Sequence, residues 1–259
     1  MSAPLLEVSD LVVRFGASDA VRGVSFAMTR ERLGIVGESG SGKSLTGRSI
    51  LRLLPPGARL SATRLAFDGI DLLAAHEAEM CALRGRRLAL VLQDPKFSLN
   101  PVMRVGDQIA EAYRAHRRAS PREARDKALA MLEAVRIREP RHVYDLHPHE
   151  ISGGMGQRVM IAMMLAPDPD LLIADEPTSA LDVTVQMQVL AILDEEVSRR
   201  RMGLILISHD LDLVASFCDR ALVMQQGRIV ESCAAGALEA AQHPYTQRLL
   251  AARPRLTAP

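Results

Sequence analysis

Residues 33–54 read LGIVGESGSGKSLTGRSILRLL, and this stretch decides the fold class. Its first four residues suit a short buried strand, three glycines interrupt the run at 37, 40 and 42, and Leu45 to Leu54 reads as a helix that stops at Pro55-Pro56-Gly57. Strand, glycine-rich loop and helix in that order, with the spacing Gly37-x-x-x-x-Gly42-Lys43-Ser44, form the pattern of a phosphate-binding loop. The glycines, with Glu38, Ser39 and Ser41 between them, let backbone N–H groups converge on phosphate oxygens. The helix that begins around Lys43 and Leu45 adds its positive end. Lys43 is expected to reach the β- and γ-phosphates, and the Ser44 hydroxyl to ligate Mg²⁺.

Outward from this loop, Leu5 to Val13 and Ala20 to Met28 read as strands upstream, and Arg64 to Asp68 and Leu88 to Leu92 as strands downstream. From Asn100 to about Arg138 the apolar spacing becomes helical, through Ile109, Ala112 and Tyr113 to Ala128, Leu129, Leu132 and Val135. Strands resume at Leu171 to Ala174, Leu204 to Ser208 and Ala221 to Met224. Strands alternating with helices predict an α/β fold with a mostly parallel sheet and a helical insertion. Arg114 to Lys127 holds six Arg or Lys residues against Glu123 and Asp126, a run expected to be a solvated helix face.

A phosphate loop needs a carboxylate on a neighbouring strand, and Leu171-Leu-Ile-Ala-Asp175-Glu176 ends an apolar strand in two acids. Asp175 is expected to hold Mg²⁺ through water, and Glu176 to polarise an attacking water. Together these elements say only that a nucleoside triphosphate is hydrolysed or used; kinase, helicase and transport ATPase all stay open.

Composition trims the field. The 259 residues carry 32 Lys+Arg against 31 Asp+Glu, a net charge of +1, too neutral for a chain whose main task is wrapping nucleic acid. Aromatics are 3% of the chain with no Trp, so a stacking platform for single strands is not expected and the core falls to Leu, Ile, Val, Met and Ala. Cys81, Cys218 and Cys233 show neither disulfide nor zinc spacing and are expected to be reduced thiols. The opening MSAPLLEVSD lacks the basic and apolar regions of a signal peptide. No run approaches 18 apolar residues, so a membrane role would require docking on another protein.

Between the two acid and phosphate elements lies Ile151-Ser152-Gly153-Gly154-Met155-Gly156-Gln157-Arg158, a capping Ser and a Gly pair ahead of an apolar helix. The order phosphate loop, Gln93, Ser-Gly-Gly, Asp-Glu, Ser179-Ala-Leu-Asp182 and His209 closely resembles the ATP-binding subunit of an ABC transporter, over residues 5 to 250. The resemblance implies ATP and Mg²⁺ as ligands and one composite domain. Its expected parts are a RecA-like P-loop NTPase core with an N-terminal antiparallel β subdomain (1–94 and 159–235), an inserted helical subdomain with the signature loop (95–158) and a tail (236–259). It implies that Phe15 stacks on adenine, with Phe26 the other aromatic upstream of the loop. Gln93 would contact Mg²⁺ and water and sense the membrane partner. Ser152, Gly153 and Gly154 would contact the γ-phosphate held by the opposite subunit, Asp182 would cross the dimer interface, and His209 would act as the switch on the γ-phosphate.

Gln93-Asp-Pro-Lys-Phe-Ser-Leu-Asn-Pro101, Met155 after Ser-Gly-Gly, Pro148-His149-Glu150 and His243-Pro-Tyr-Thr246 resemble the dipeptide, oligopeptide and nickel importer branch. The implied partners are permease subunits in the membrane, a second ATPase subunit (a heterodimer rather than a homodimer) and, indirectly, an extracytoplasmic binding protein, with no nucleic acid. The chain would sit on the cytoplasmic face of the membrane. Residues 95 to 105 and the helical insertion are the expected permease contact. The lack of a cysteine-bearing tail after Thr246 tilts the cargo towards nickel or a metal chelate. His142, His147 and His149 are expected to be structural. The rivals are a soluble ABC-type ATPase, which usually needs two cassettes or a long coiled coil, and a non-hydrolysing partner subunit, which the presence of Lys43, Glu176 and His209 argues against. Arg30, Gly156 and Cys233 depart from the pattern; Arg30 and Cys233 would be strained if their positions need a positive φ.

Overall fold

The computed structural model describes residues 3–93, 98–179 and 181–253. The chain divides into two compact units, Met1–Ala75 with Ile205–Pro259, and His76–Leu204.

The first unit holds two sheets. In one, β1 (Leu6–Phe15) alternates buried Leu6, Val8, Leu11 and Val13 with outward residues and pairs antiparallel with β2 (Ser18–Met28). The register slips between Val8 and Leu11, where Asp10 takes φ +52°. This bulge is tied down: the Asp10 N–H donates to Ser25 Oγ at 2.8 Å, and Thr63 Oγ1 donates to the Asp10 carboxylate at 2.9 Å. On its other edge β1 meets β4 (Ala58–Ser61) and β5 (Arg64–Phe67), both antiparallel, and the short β6 (Ile70–Asp71) follows β5. This is the antiparallel subdomain that the resemblance implies, with β4 and β6 added to the strands read from the sequence. Both added strands are short and lack an apolar run, so periodicity does not mark them.

The second sheet of this unit runs in the order β11 (Arg228–Ala234), β10 (Arg220–Gln225), β3 (Arg32–Val36) and β9 (Gly203–Ser208). β3 and β10 pair in parallel, and α1 (Lys43–Ile50) follows β3 directly. β10 turns into β11 through Gln226 and Gly227, both at positive φ, the geometry of a tight hairpin. β11 escapes sequence reading because it is a half-exposed strand, Arg-Ile-Val-Glu-Ser-Cys-Ala, without a continuous apolar run. Cys233 on β11 and Arg30 are not among the residues at positive φ, so the strain conditionally expected for them does not arise.

In the second unit, α2 (Glu77–Leu83) opens on a capping box in which the His76 N–H donates to Glu79 Oε2 at 2.7 Å. β7 (Leu88–Val91) and β8 (Leu171–Asp175) pair in parallel, Leu88 opposite Leu171. Between them come α3 (Val105–His116), α4 (Pro121–Ala134), α5 (Pro140–Asp145) and α6 (Gly153–Leu165), and α7 (Val183–Arg200) follows β8. The helical spacing read from the sequence over 100–138 covers α3 and α4, and the break between them is chemical. Ser120-Pro121-Arg122-Glu123 forms a capping box, the Ser120 N–H donating to Glu123 Oε2 at 2.7 Å and the Glu123 N–H to Ser120 Oγ at 3.3 Å.

The basic run from Arg114 to Lys127 lies mainly on exposed surface, as expected, but three of its members are pinned. Arg117 donates to the Pro167 carbonyl at 3.0 Å, Lys127 to the Asp168 carboxylate at 3.1 Å, and the Arg125 guanidinium lies 4.1 Å from the centre of the Tyr144 ring. On α7, Glu196 is 3% exposed. Burial pushes its carboxyl up, but hydrogen bonds from Arg199 and Arg200 at 2.7 Å outweigh that and leave it below the usual range.

α3 and α5 meet closely at Gly106, where a Cβ would stand 2.0 Å from Cδ2 of the Tyr144 ring. The Tyr144 hydroxyl completes this contact by donating to Asp107 Oδ1 at 3.0 Å. Gly106→Ala is therefore expected to lower unfolding stability by about 1–3 kcal/mol through overpacking. Urea denaturation of the two proteins checks this, and an unchanged midpoint would show that the ring is not seated on Gly106.

Among the described residues, no helix is long and apolar enough to cross a membrane.

Candidate functional site

On the first unit, the phosphate loop joins β3 to α1 and is built against both of that unit's sheets. Gly37 has φ +151°, and a Cβ there would lie 2.2 Å from the Met224 carbonyl oxygen of β10. Gly42, at φ +99°, would place one 2.9 Å from the Ala20 oxygen. Both neighbours are backbone atoms that cannot move aside, so glycine is required sterically. Lys43 is 4% exposed, and its ammonium donates to the Gly37 and Glu38 carbonyls at 2.7 and 2.9 Å. Gly42 is the N-cap of α1 and has no side chain to satisfy the first-turn N–H groups, the turn that includes Lys43, Ser44 and Leu45. Ser39 and Gly40 are exposed at the loop tip. The Ser41 hydroxyl is buried without a hydrogen-bond partner. A cradle of glycine backbone, a buried cation and an orphaned hydroxyl suit an anionic group with several acceptor oxygens.

Phe15 ends β1 and lines an open recess of about 600 Å³ with Ala17, Ser18, Asp19, Arg22 and Arg228. Phe26 is 8% exposed, in the core of the antiparallel sheet, so Phe15 is the aromatic available to a ligand. His209 is exposed immediately after β9, next to β3 in the sheet order. Asp210, the next residue, caps α8 (Leu211–Phe217) by accepting from the Leu213 N–H at 3.0 Å.

On the second unit, Asp175 is the last residue of β8 and 4% exposed, and Glu176 follows it half-buried at φ +49°. A left-handed glutamate costs about 1–2 kcal/mol. The turn that holds it is closed by the Ser179 N–H and hydroxyl, which both donate to the Glu176 carbonyl. Gln93 is exposed two residues beyond Val91, whose partner in β8 is Ala174, so Gln93, Asp175 and Glu176 share the carboxyl ends of two neighbouring parallel strands. Ligands of open α/β sheets bind at such ends.

Ser152 caps α6, its hydroxyl accepting from the Met155 N–H at 3.3 Å, with Gly153 and Gly154 in the first turn and Gly156 buried behind them. Asp182 caps α7 by accepting from the Val185 N–H at 3.1 Å. Beside it, Val183 and Met187 leave α7 with 76% and 63% exposure. His147 caps a one-turn helix over Pro148–Glu150, bonded to Glu150 and stacked on His149 with ring centres 5.7 Å apart. Among the described residues no group of three His, Cys, Asp or Glu side chains could hold a metal ion. Of the thiols, Cys218 is buried and its pKa is pushed up to about 12 by that burial.

One contact of the loop comes from the His243-Pro-Tyr-Thr246 stretch, to which the sequence assigns no role: the Glu38 N–H donates to the Tyr245 hydroxyl at 3.0 Å.

Comparison with known proteins supplies the family. A family model described as ABC transporter matches residues 21–179, more than half of the chain and the whole span from the phosphate loop to Glu176. The chain belongs to the ABC transporter family. It is 45% identical over 262 residues to the oligopeptide transport ATP-binding protein OppD of Bacillus subtilis, covering 97% of this chain and 72% of that one. It is 48% identical over 264 residues to the glutathione import ATP-binding protein GsiA of Pectobacterium atrosepticum, where it spans 97% of itself but 42% of the relative. In fold, this ABC chain resembles the dimeric, post-hydrolysis structure of the ATP-binding cassette MJ0796 bound to ADP and Pi, with a TM-score of 0.79 at 24% identity over 89% of this chain and 98% of that one.

Proposed function

We propose that this ABC chain hydrolyses ATP to power the import of small peptides through a membrane permease. The observation that carries the reading is 45% identity, over nearly the whole chain, to an oligopeptide transport ATP-binding protein, joined to an intact phosphate loop. The relatives' peptide and glutathione names favour a peptide cargo over nickel. The alternative of a soluble ATPase gains no support from these relatives.

In this reading Gly37 to Leu45 bind the triphosphate, Phe15 stacks on adenine and His209 meets the γ-phosphate. Glu176 accepts a proton from the attacking water as its oxygen bonds to the γ-phosphorus and the bond to the ADP oxygen breaks, which yields ADP and phosphate. Ser44, Asp175 and Gln93 offer hydroxyl, carboxylate and amide oxygens, the hard donors Mg²⁺ prefers, and these residues would hold the ion. When bound, Mg²⁺ neutralises phosphate charge. Ser152, Gly153, Gly154 and Asp182 face a second ATPase subunit, a different chain rather than a copy, so that each site is completed by closure. Residues 98–105 with the helical insertion supply the permease contact; residues 95–97, also expected there, lie outside the described residues. Val102, 80% exposed, is the apolar element of that surface. The subunit works on the cytoplasmic face of the membrane, and an extracytoplasmic binding protein delivers the cargo to the permease.

Affinity purification of the tagged chain from detergent-solubilised membranes tests the coupling. Recovery of a polytopic permease, with ATPase activity raised by peptide-loaded binding protein in reconstituted vesicles, is the expected result. A chain recovered only from the soluble fraction, with activity indifferent to permease and peptide, would reverse the reading.

A further inference from the structure

The His243-Pro-Tyr-Thr246 stretch lies two hundred residues along the chain from the phosphate loop, yet one of its side chains reaches it. The Glu38 N–H donates to the Tyr245 hydroxyl at 3.0 Å, and Tyr245 is 3% exposed. The other end of the same peptide group is also held, because the Gly37 carbonyl accepts from Lys43 Nζ at 2.7 Å. The mount for the ring is firm. α9 (Pro244–Ala251) opens on Pro244, His243 Nδ1 accepts from the Tyr245 N–H at 3.2 Å, and Glu231 Oε1 on β11 accepts from the Gln242 N–H at 2.8 Å. Burial raises the Tyr245 phenol above its usual range, so it accepts this bond as a neutral group and adds no negative charge beside a phosphate site.

We propose that Tyr245 is a positioning residue for the nucleotide reaction: its hydroxyl fixes the Gly37–Glu38 peptide when Lys43 turns from that peptide to the phosphates. The proposal rests on the reading of this loop as the ATP site. Lys43 has three N–H donors, and two of them serve the Gly37 and Glu38 carbonyls. Drawing the ammonium towards phosphate weakens those two bonds, and Tyr245 is then the group that keeps the first peptide of the loop from rotating.

Tyr245→Phe retains the ring and deletes the acceptor, which leaves the Glu38 N–H without its partner. Kd and KM for Mg-ATP are expected to rise about tenfold, with kcat changed by no more than about twofold. A role confined to fastening the tail would lower the melting temperature and leave both ATP constants alone. A second measurement needs no variant: in the nucleotide-free wild type, the Glu38 amide is expected to exchange with deuterium far more slowly than the exposed Gly40 amide. ATP constants for Tyr245→Phe within about twofold of wild type, or a Glu38 amide as fast as that of Gly40, would overturn the proposal; should the variant not fold, the exchange measurement decides. Lys43→Ala separates the two layers, since unimpaired ATP binding in that variant would remove the ATP reading of the loop rather than the part played by Tyr245.

Discussion

Glu176→Gln is expected to bind ATP as the wild type does while turnover falls by roughly a hundredfold to ten-thousandfold, the range a positioned general base contributes. The substitution keeps the length and shape of the side chain and removes its capacity to take a proton. It also keeps the backbone problem unchanged: residue 176 sits at φ +49°, held by two hydrogen bonds from Ser179 to its carbonyl, and glutamine meets the same penalty there as glutamate. A fall in turnover can therefore be assigned to chemistry rather than to a collapsed turn. Single-turnover hydrolysis with radiolabelled ATP, alongside equilibrium binding of ATP, gives both quantities. Turnover within a factor of a few of wild type would remove Glu176 as the base and transfer attention to His209.

Lys43→Ala should act on binding instead. The ammonium is buried, and a charged hydrogen bond is worth about 1.5–3 kcal/mol, so loss of its contacts to two phosphates is expected to weaken ATP binding by at least about a hundredfold. A second consequence comes from the apo structure. The Gly37 and Glu38 carbonyls lose their common donor, so the variant's loop should be looser even without nucleotide. Titration calorimetry with Mg-ATP measures the first effect, and amide exchange across residues 37–42 the second. A wild-type Kd would remove the reading of this loop as the ATP site.

The readings that came from the sequence share a property. Each rests on residues close together in the chain whose types have few other uses: glycines at fixed spacing before a Lys-Ser pair, an apolar strand ending in Asp175-Glu176, and Ser152 ahead of two glycines. Local geometry follows from such stretches because turn, cap and strand-end chemistry acts over three or four residues. The structure confirms the local part in each case, with β8 ending at Asp175, Ser152 as a helix cap and Gly37 and Gly42 wedged against backbone. Where the signal was only apolar periodicity, it failed at predictable places. β4, β6 and β11 are short or half-exposed, and the break between α3 and α4 is written in a capping box that periodicity does not see.

The sequence by itself determined the phosphate loop, the acid pair, the α/β class and the family, because these depend on order and spacing along the chain. Only the tertiary structure showed the open recess that Phe15 lines and which tail residue meets the loop. It alone showed Glu176 in a left-handed turn and the Ser41 hydroxyl left buried without a partner. These outcomes depend on which surfaces come together when distant segments pack. The Tyr245 hydroxyl and the Glu38 N–H are neighbours only because α9 and β3 belong to one folded unit, and no spacing in the chain encodes a contact between them.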